Sequence, residues 1–299
     1  RDAGGYVLAK RRPIVKGKDP SEFIRRILYR PFDNRWVAYS RGFLTADQHK
    51  VMRHMLSGRN VGLSTTRSID IGRGWEHAFV SRDIVQHHTV SIKEVNYLFP
   101  LLLQATGSAE GEFSFEDASQ PESTNLAPQF VRDITRLARE KAVPERIFAF
   151  IYGILNAPSY RERYREFLKG DFPRIPLPGS RALFDALVPL GERLVSLHLM
   201  EADVEREAAF SGKGSNDVVK PAYDADGQAV HINPAQSFAP VPPDVWEFHI
   251  GGFQVCHKWL KDRKGRALSP EDVEHYRYIV AALKETIELM ARIDDVIEE

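Results

Sequence analysis

Cysteine is almost missing from this 299-residue chain, in which Cys256 is the one thiol. A single thiol can neither close an intramolecular disulfide nor build a Cys-based zinc site. A chain without disulfides is expected in a reducing compartment, so the predicted location is cytoplasmic. Long apolar runs are missing too: no stretch approaches the roughly 18 uninterrupted apolar residues that a membrane span needs. The opening Arg1-Asp2-Ala3-Gly4-Gly5-Tyr6 has no apolar run between a basic start and a small-residue cleavage site, so no signal peptide is read. The chain also begins without Met, and we expect a piece of a longer polypeptide.

The loops that a nucleotide-dependent enzyme needs are absent as well. Neither a P-loop nor the glycine turn that holds S-adenosylmethionine follows any predicted strand. Trp246 to Phe253 (WEFHIGGF) lacks both the alternating glycines and the subsequent acidic strand end. Asn156-Ala157-Pro158-Ser159-Tyr160 is the nearest string to the Asp/Asn-Pro-Pro-Tyr/Phe loop that amino-methyltransferases close on a flipped base, but Pro158 reads better as a helix start. His87 and His88, near Asp83, would point to opposite faces of a strand and so ligate one ion poorly; no metal is expected. Cys256 and His257 are chain neighbours without a third orienting group. No catalytic residue is assigned.

Net charge is zero, with 41 Lys and Arg against 41 Asp and Glu, but the zero hides an asymmetry. Residues 1–100 carry 18 basic and 9 acidic residues, and the remainder is acidic. A basic first lobe is what phosphate neutralisation requires, since each docked Lys or Arg releases condensed counterions. The plainer reading is a basic surface facing the acidic remainder of the same chain. Hydrophobic content of 43% and charged content of 27% are globular values, and the length suffices for two lobes.

The predicted fold class is α+β: a small, mostly-β N-terminal lobe over 1–104, a linker or exposed loop over 105–124, and a mainly helical lobe with a small β-sheet over 125–299. Phe23 to Arg30 and Trp36 to Ser40 read as strands around a Pro31 to Arg35 turn, and Thr45 caps a helix through Leu56. Further extended runs are Val61 to Thr65, His77 to Ser81 and Tyr97 to Leu103. Residues 105–124 lose aliphatics and gain Ser, Glu and Gly. Helices are predicted from Asn125, Pro144, Pro158, Ser180 and Ser269-Pro270. In the third, Tyr160, Tyr164, Phe167 and Leu168 form one apolar stripe. Between the last two, VVKPAY, AVHIN and VWEFHI read as extended pieces of a small sheet.

Basic residues mixed with aromatics are what remains. Arg30, Arg35, Trp36, Arg41, Arg67, Arg73, Trp75 and Arg82 lie on or beside the strands and turns of the basic lobe. Lys258, Lys261, Arg263, Lys264 and Arg266 make a second run, which could equally be a solvated helix end. Arg35 could simply pair with Asp33 and tie its turn.

Leu28-Tyr29-Arg30-Pro31-Phe32-Asp33-Asn34-Arg35-Trp36 resembles the Tyr-Arg-Pro-Phe-Asp-x-Arg element that follows the catalytic core in adenine-N6 methyltransferases fused to restriction functions. Phe150 to Phe167 with Phe172-Pro173-Arg174-Ile175-Pro176, Val245 to Cys256, and Lys258 to Arg266 (KWLKDRKGR) resemble the C-terminal region of type ISP restriction-modification enzymes in the same order. In that family one polypeptide joins a nuclease, a helicase-like ATPase, an adenine methyltransferase and a C-terminal target-recognition (specificity) domain. The resemblance implies that this chain is the last part. It would bind double-stranded DNA sequence-specifically beside the methyltransferase and helicase portions, as half of a recognition clamp. S-adenosylmethionine, ATP and Mg would belong to those other parts. Phosphate contacts would set register and a few side chains would read base edges. Candidate DNA-binding residues in the basic lobe are Arg30, Arg35, Arg41, Arg67, Arg73 and Arg82. In the second lobe they are Lys213, Asn216, Lys220, Gln254, His257, Lys258 and Lys264. Arg30, Arg35, Arg67 and Arg73 are expected to share a face with Lys258 and Lys264, and Phe210 to Asn216 to form a mobile loop that orders on DNA. The competing expectation is a docking domain without base reading. An autonomous methyltransferase is disfavoured by the missing loops.

Overall fold

The β-branched and aromatic residues of Ile24–Arg30 favour an extended strand, β1, which pairs antiparallel with β2 (Asp33–Ala38), Leu28 facing Asn34 and Arg26 facing Trp36. In this computed structural model, residues 8–40, 42–44, 46–70, 74–104, 121–139, 141 and 143–298 are described. Two helical turns, α1 (Leu8–Arg11) and α2 (Pro20–Phe23), precede the hairpin. The expected helix over 45–56 is shorter: α3 (His49–Met52) runs into a 3-10 turn at Arg53–Met55, and Thr45 lies outside the described residues. Asp47 accepts from the backbone N–H groups of Gly42 and His49, a local turn that competes with an earlier helix start.

Strands β3 (Gly62–Thr66), β4 (Ala78–Ser81), β5 (Ile84–Val85) and β6 (Asn96–Pro100) follow. They form a β4-β3-β6 antiparallel sheet, while β5 joins β1 in parallel. Residues 105–120 of the expected linker lie outside the described residues, but Pro121–Thr124 is strand β8, paired with β7 (Leu102–Gln104). The next helix, α4 (Pro128–Ala138), starts later than predicted. Asn125 does not cap it, because its amide donates to Pro100 O (3.0 Å), and Pro128 at the first position has no N–H to satisfy.

Helices α5 (Pro144–Asn156), α6 (Pro158–Arg163), α7 (Arg165–Gly170) and α8 (Arg181–His198) follow. The run after Pro158 was expected as one helix and breaks at Tyr164, which turns Phe167 outward to 70% exposure while Tyr160 and Leu168 stay buried. Ser180 caps α8 by accepting from Leu183 N (3.0 Å). Strands β9 (Ala209–Ser211), β10 (Ala222–Asp224), β11 (Ala229–Asn233) and β12 (Gln236–Ala239) make the predicted small sheet in the order β10-β11-β12-β9. VWEFHI is only partly extended: Pro243 opens a turn of helix, α9 (Pro243–Glu247), before the β13 (His249–Ile250) and β14 (Phe253–Gln254) hairpin. Helices α10 (Val255–Lys261) and α11 (Pro270–Glu298) complete the chain, the latter behind a reciprocal Ser269–Asp272 cap.

The α+β class is as expected, but the apolar core is continuous rather than divided between lobes. Leu28, Phe32 and Phe79 belong to the same buried cluster as Phe150, Leu194 and Tyr276. Phe32 meets Phe79 edge-on (5.1 Å), Phe79 stacks on His198 (5.1 Å), and His275 Nε2 donates to Phe32 O (2.6 Å). Deep in this seam the Asp33 carboxylate accepts from Arg263 Nη2 (3.0 Å) across 230 residues of chain.

Candidate nucleic-acid interface

The β1–β2 hairpin and α10 meet in one cluster of cations and aromatics. Arg30 is 8% exposed, donates to Gln86 Oε1 (2.7 Å) and lies over the rings of Tyr29 (4.1 Å) and Phe253 (5.0 Å). Loss of hydration lowers the pKa of its guanidinium, which is turned inward and serves the packing of hairpin on helix. Arg35 also lies over the Tyr29 ring (3.6 Å) and pairs with Asp33 (2.9 Å) and Asp262 (3.6 Å), so the turn-tying role anticipated for it is present. Lys258 pairs with Asp262 one helical turn on, and its ammonium lies 5.9 Å from the Phe253 ring. Gln254 donates to Trp246 O (2.8 Å), and His257 packs on Trp246 (5.8 Å). Burial first, then Lys261 and Lys258, hold His257 below the ordinary histidine pKa, which keeps it neutral near pH 7.

A second group adjoins the first through the turn after α10. Backbone bonds Gly265 N to Val218 O (2.8 Å), Val218 N to Arg266 O (3.1 Å) and Leu268 N to Asn216 O (2.9 Å) zip residues 216–218 onto 265–268. That zipper places Lys220, two residues past Val218, and Lys264, next to Gly265, toward one end, while Asn216 bonds Leu268 toward the other and Lys213 lies on the loop before it, although some fifty residues separate the two stretches in sequence. Lys213, Lys220, Lys261 and Lys264 are exposed, and none of their ammonium groups has an ion-pair partner among the described residues. Asn216 differs: its side chain is engaged by Gln236 (2.7 Å), and it holds the left-handed φ of 62°. The loop over 210–216 is thus tied down in the free chain.

The remaining candidates lie elsewhere. Arg67 pairs with Asp171 (3.4 Å) and Arg82 with Glu201, both in the acidic part of the chain, so part of the charge asymmetry is consumed internally. Arg41 and Arg73 lie outside the described residues. Arg82 borders a polar cleft of about 140 Å³ between β1 and the end of α8, lined also by Arg26, Asn34, Asp83 and Glu201. Its carboxylates are already engaged: Asp83 accepts from Asn34 (2.7 Å) and Arg26 (3.5 Å), and burial raises its pKa against those two partners. Of the two tryptophans in the basic lobe, Trp75 is buried and Trp36 is 73% exposed on β2.

Sequence reasoning missed Arg263 as a structural residue. It reads as one more cation in KWLKDRKGR, yet it is 9% exposed, lies 3.3 Å from the Trp259 ring and donates to Trp259 O, Asp33 and Asp272. Its spacing four residues after Trp259, across the end of α10, was the available signal. Gln236 was missed with no signal to find it by.

Residues 7–292 match the family model described as the type ISP C-terminal specificity domain. A search of curated proteins found no match. Three solved structures share the fold. The ATP-dependent type ISP restriction-modification enzyme LlaBIII bound to DNA gives a TM-score of 0.71 at 14% identity, over 100% of this chain and 20% of that one. The DrdV–DNA complex gives 0.66 at 16%, over 99% and 29%. A nuclease-deletion mutant of the type ISP enzyme LlaGI, in complex with a DNA substrate mimic, gives 0.62 at 17%, over 95% and 25%. The chain therefore spans between a fifth and three tenths of the proteins it resembles.

Proposed function

This chain belongs to the type ISP C-terminal specificity domain family, and from that premise we propose that it is the duplex-DNA recognition module of a larger restriction-modification polypeptide. It performs no bond-making step itself; methyl transfer and ATP hydrolysis, with their S-adenosylmethionine, ATP and Mg, fall to other parts of that polypeptide. The observation that carries the reading, beside the family, is that Lys220, Lys261 and Lys264 lie toward one end of the 216–218/265–268 zipper and Lys213 on the loop leading into it, all exposed and without acidic partners among the described residues. Unpaired ammonium groups on rigid turns suit a phosphate backbone, while the amides and imidazole beside them suit base edges.

Anisotropy titration of a fluorescent duplex of random sequence tests this. Log affinity should fall linearly with log salt, and Lys220→Gln/Lys261→Gln/Lys264→Gln should flatten the slope by roughly 0.9 per lysine that contacts phosphate. No binding at roughly 50 mM salt would overturn the reading.

One observation favours an additional docking role for a different face. Tyr97 and Phe99 of β6 remain 38% and 41% exposed around Phe172 (4.9 and 5.5 Å), with Ile92 and Val95 exposed nearby in sequence. A salt-resistant complex with a separately expressed methyltransferase portion, weakened by Phe99→Ser, is the expected result.

A further inference from the structure

We infer that Gln236 is a positioning residue: its buried carboxamide clamps the 212–217 loop so that Lys213 is held ready for a phosphate before any nucleic acid arrives. The inference rests on the proposed reading of this face as a DNA contact surface and adds how one of its cations is preorganised.

Gln236 stands on β12 at 2% exposure, and every polar atom of its side chain is engaged at the root of that loop. Its Oε1 accepts from Asn216 N (2.9 Å) and from Asn233 Nδ2 (3.1 Å), and its Nε2 donates to Asn216 Oδ1 (2.7 Å). Asn233 Nδ2 also donates to Asp217 O (3.0 Å), fixing the next residue of the loop. A primary amide can give and accept at once, which is why a buried glutamine can close a ring of bonds with the backbone and side chain of one asparagine.

The loop is shaped to receive that clamp. Gly212, at φ +96°, passes so close to β12 that a Cβ there would stand 1.9 Å from Ala235 O. Gly214 leaves only the space that the amide fills, since its Cβ would lie 2.4 Å from Gln236 Oε1. Lys213 sits between these two anchored glycines, exposed and without an acidic partner among the described residues. A side chain borne on a fixed backbone loses less freedom on binding than one on a loop that must first be ordered.

The experiment uses the whole chain and the random duplex. Lys213→Gln should flatten the log–log salt slope by about 0.9. Gln236→Leu should flatten it by the same amount with Lys213 intact, and the double variant should add nothing further. Gly214→Ala, which attacks the clamp from the loop side by displacing Gln236 Oε1 while the carboxamide itself remains, should repeat the result. Without DNA, trypsin should cut after Lys213 faster in both clamp variants, by more than the accompanying fall in thermal midpoint accounts for. Wild-type binding that Gln236→Leu and Gly214→Ala leave at the wild-type slope overturns the inference alone, as does strict additivity with Lys213→Gln. Failure of the wild-type chain to bind any duplex removes the reading beneath it, and the inference with it.

Discussion

Asp33 and Arg263 show how much can depend on one pair of side chains. The carboxylate is 1% exposed and takes bonds from both Arg263 and Arg35, while the guanidinium is sandwiched between Trp259 and two carboxylates. Removing Asp33 leaves the buried Arg263 guanidinium with Asp272 alone and Arg35 with Asp262, so part of the counter-charge is lost, which costs more than the pair contributes when intact. Asp33→Ala should therefore lower unfolding free energy by about 3 kcal/mol in urea titration, the low end for a broken buried pair. A loss under about 1 kcal/mol would mean that water reaches and screens the pair.

His198 makes a second prediction at this scale. Thr286 gives its own proton to Ala282 O (2.7 Å), so it accepts from His198 Nε2 (3.0 Å), and Nδ1 accepts from the Tyr152 phenol. That arrangement suits only the neutral ring. Burial, helped by the charge of Arg161, pushes the pKa down to about 3. The folded-state pKa lies below the unfolded value of about 6.5, so the unfolded chain binds the extra proton. Stability is complete above about pH 6.5 and falls as pH drops toward 3, by about 1.4 kcal/mol per unit. Urea midpoints at pH 7 and pH 5 should converge when His198→Gln is compared with wild type; parallel pH slopes would refute the assignment.

Among the elements, the contact of α5 with α8 is the tightest. Gly191 passes Ala149 so closely that a Cβ would stand 2.0 Å from the Ala149 carbonyl oxygen, with Gly153 opposite. Gly191→Ala must separate the helices or distort one, and a destabilisation of at least 1–3 kcal/mol, roughly, is expected in thermal or chemical melting. These helices were legible in the sequence because Pro144 and Ser180 mark their starts and their apolar residues recur at helical spacing. The break at Tyr164, the late starts of α3 and α4, and the turn of helix at Pro243 were not legible. The two late starts go with contacts outside simple periodicity, Asn125 reaching Pro100 and Asp47 folding back on Gly42. The candidate site was legible only in composition. The strings held its lysines, but which cations stay unpaired depended on where Asp171, Glu201 and Asp262 came to rest.

At the scale of the whole molecule, the continuous core bears on cooperativity. With Phe32, Phe79 and His198 packed together, the β-rich and helical parts share apolar surface and should unfold together. One calorimetric transition is expected, with van't Hoff and calorimetric enthalpies equal; two resolved transitions would contradict the shared core. The charge asymmetry also acts here. Because Arg67 and Arg82 neutralise acids of the later chain, replacing either with Gln should change DNA affinity less than replacing Lys220 or Lys264 in the same titration.

The bond between Asp33 and Arg263 has a temporal side. A ribosome adding roughly 5–20 residues per second needs on the order of 10–50 s to travel the 230 residues between them. For that interval the first hairpin has been made, but its carboxylate has only Arg35 beside it and the carbonyl of Phe32 still lacks His275. The newborn basic half must wait, open and adhesive, for the tail that completes it. Breaking the chain anywhere between the two would leave each piece holding one end of an unfinished core.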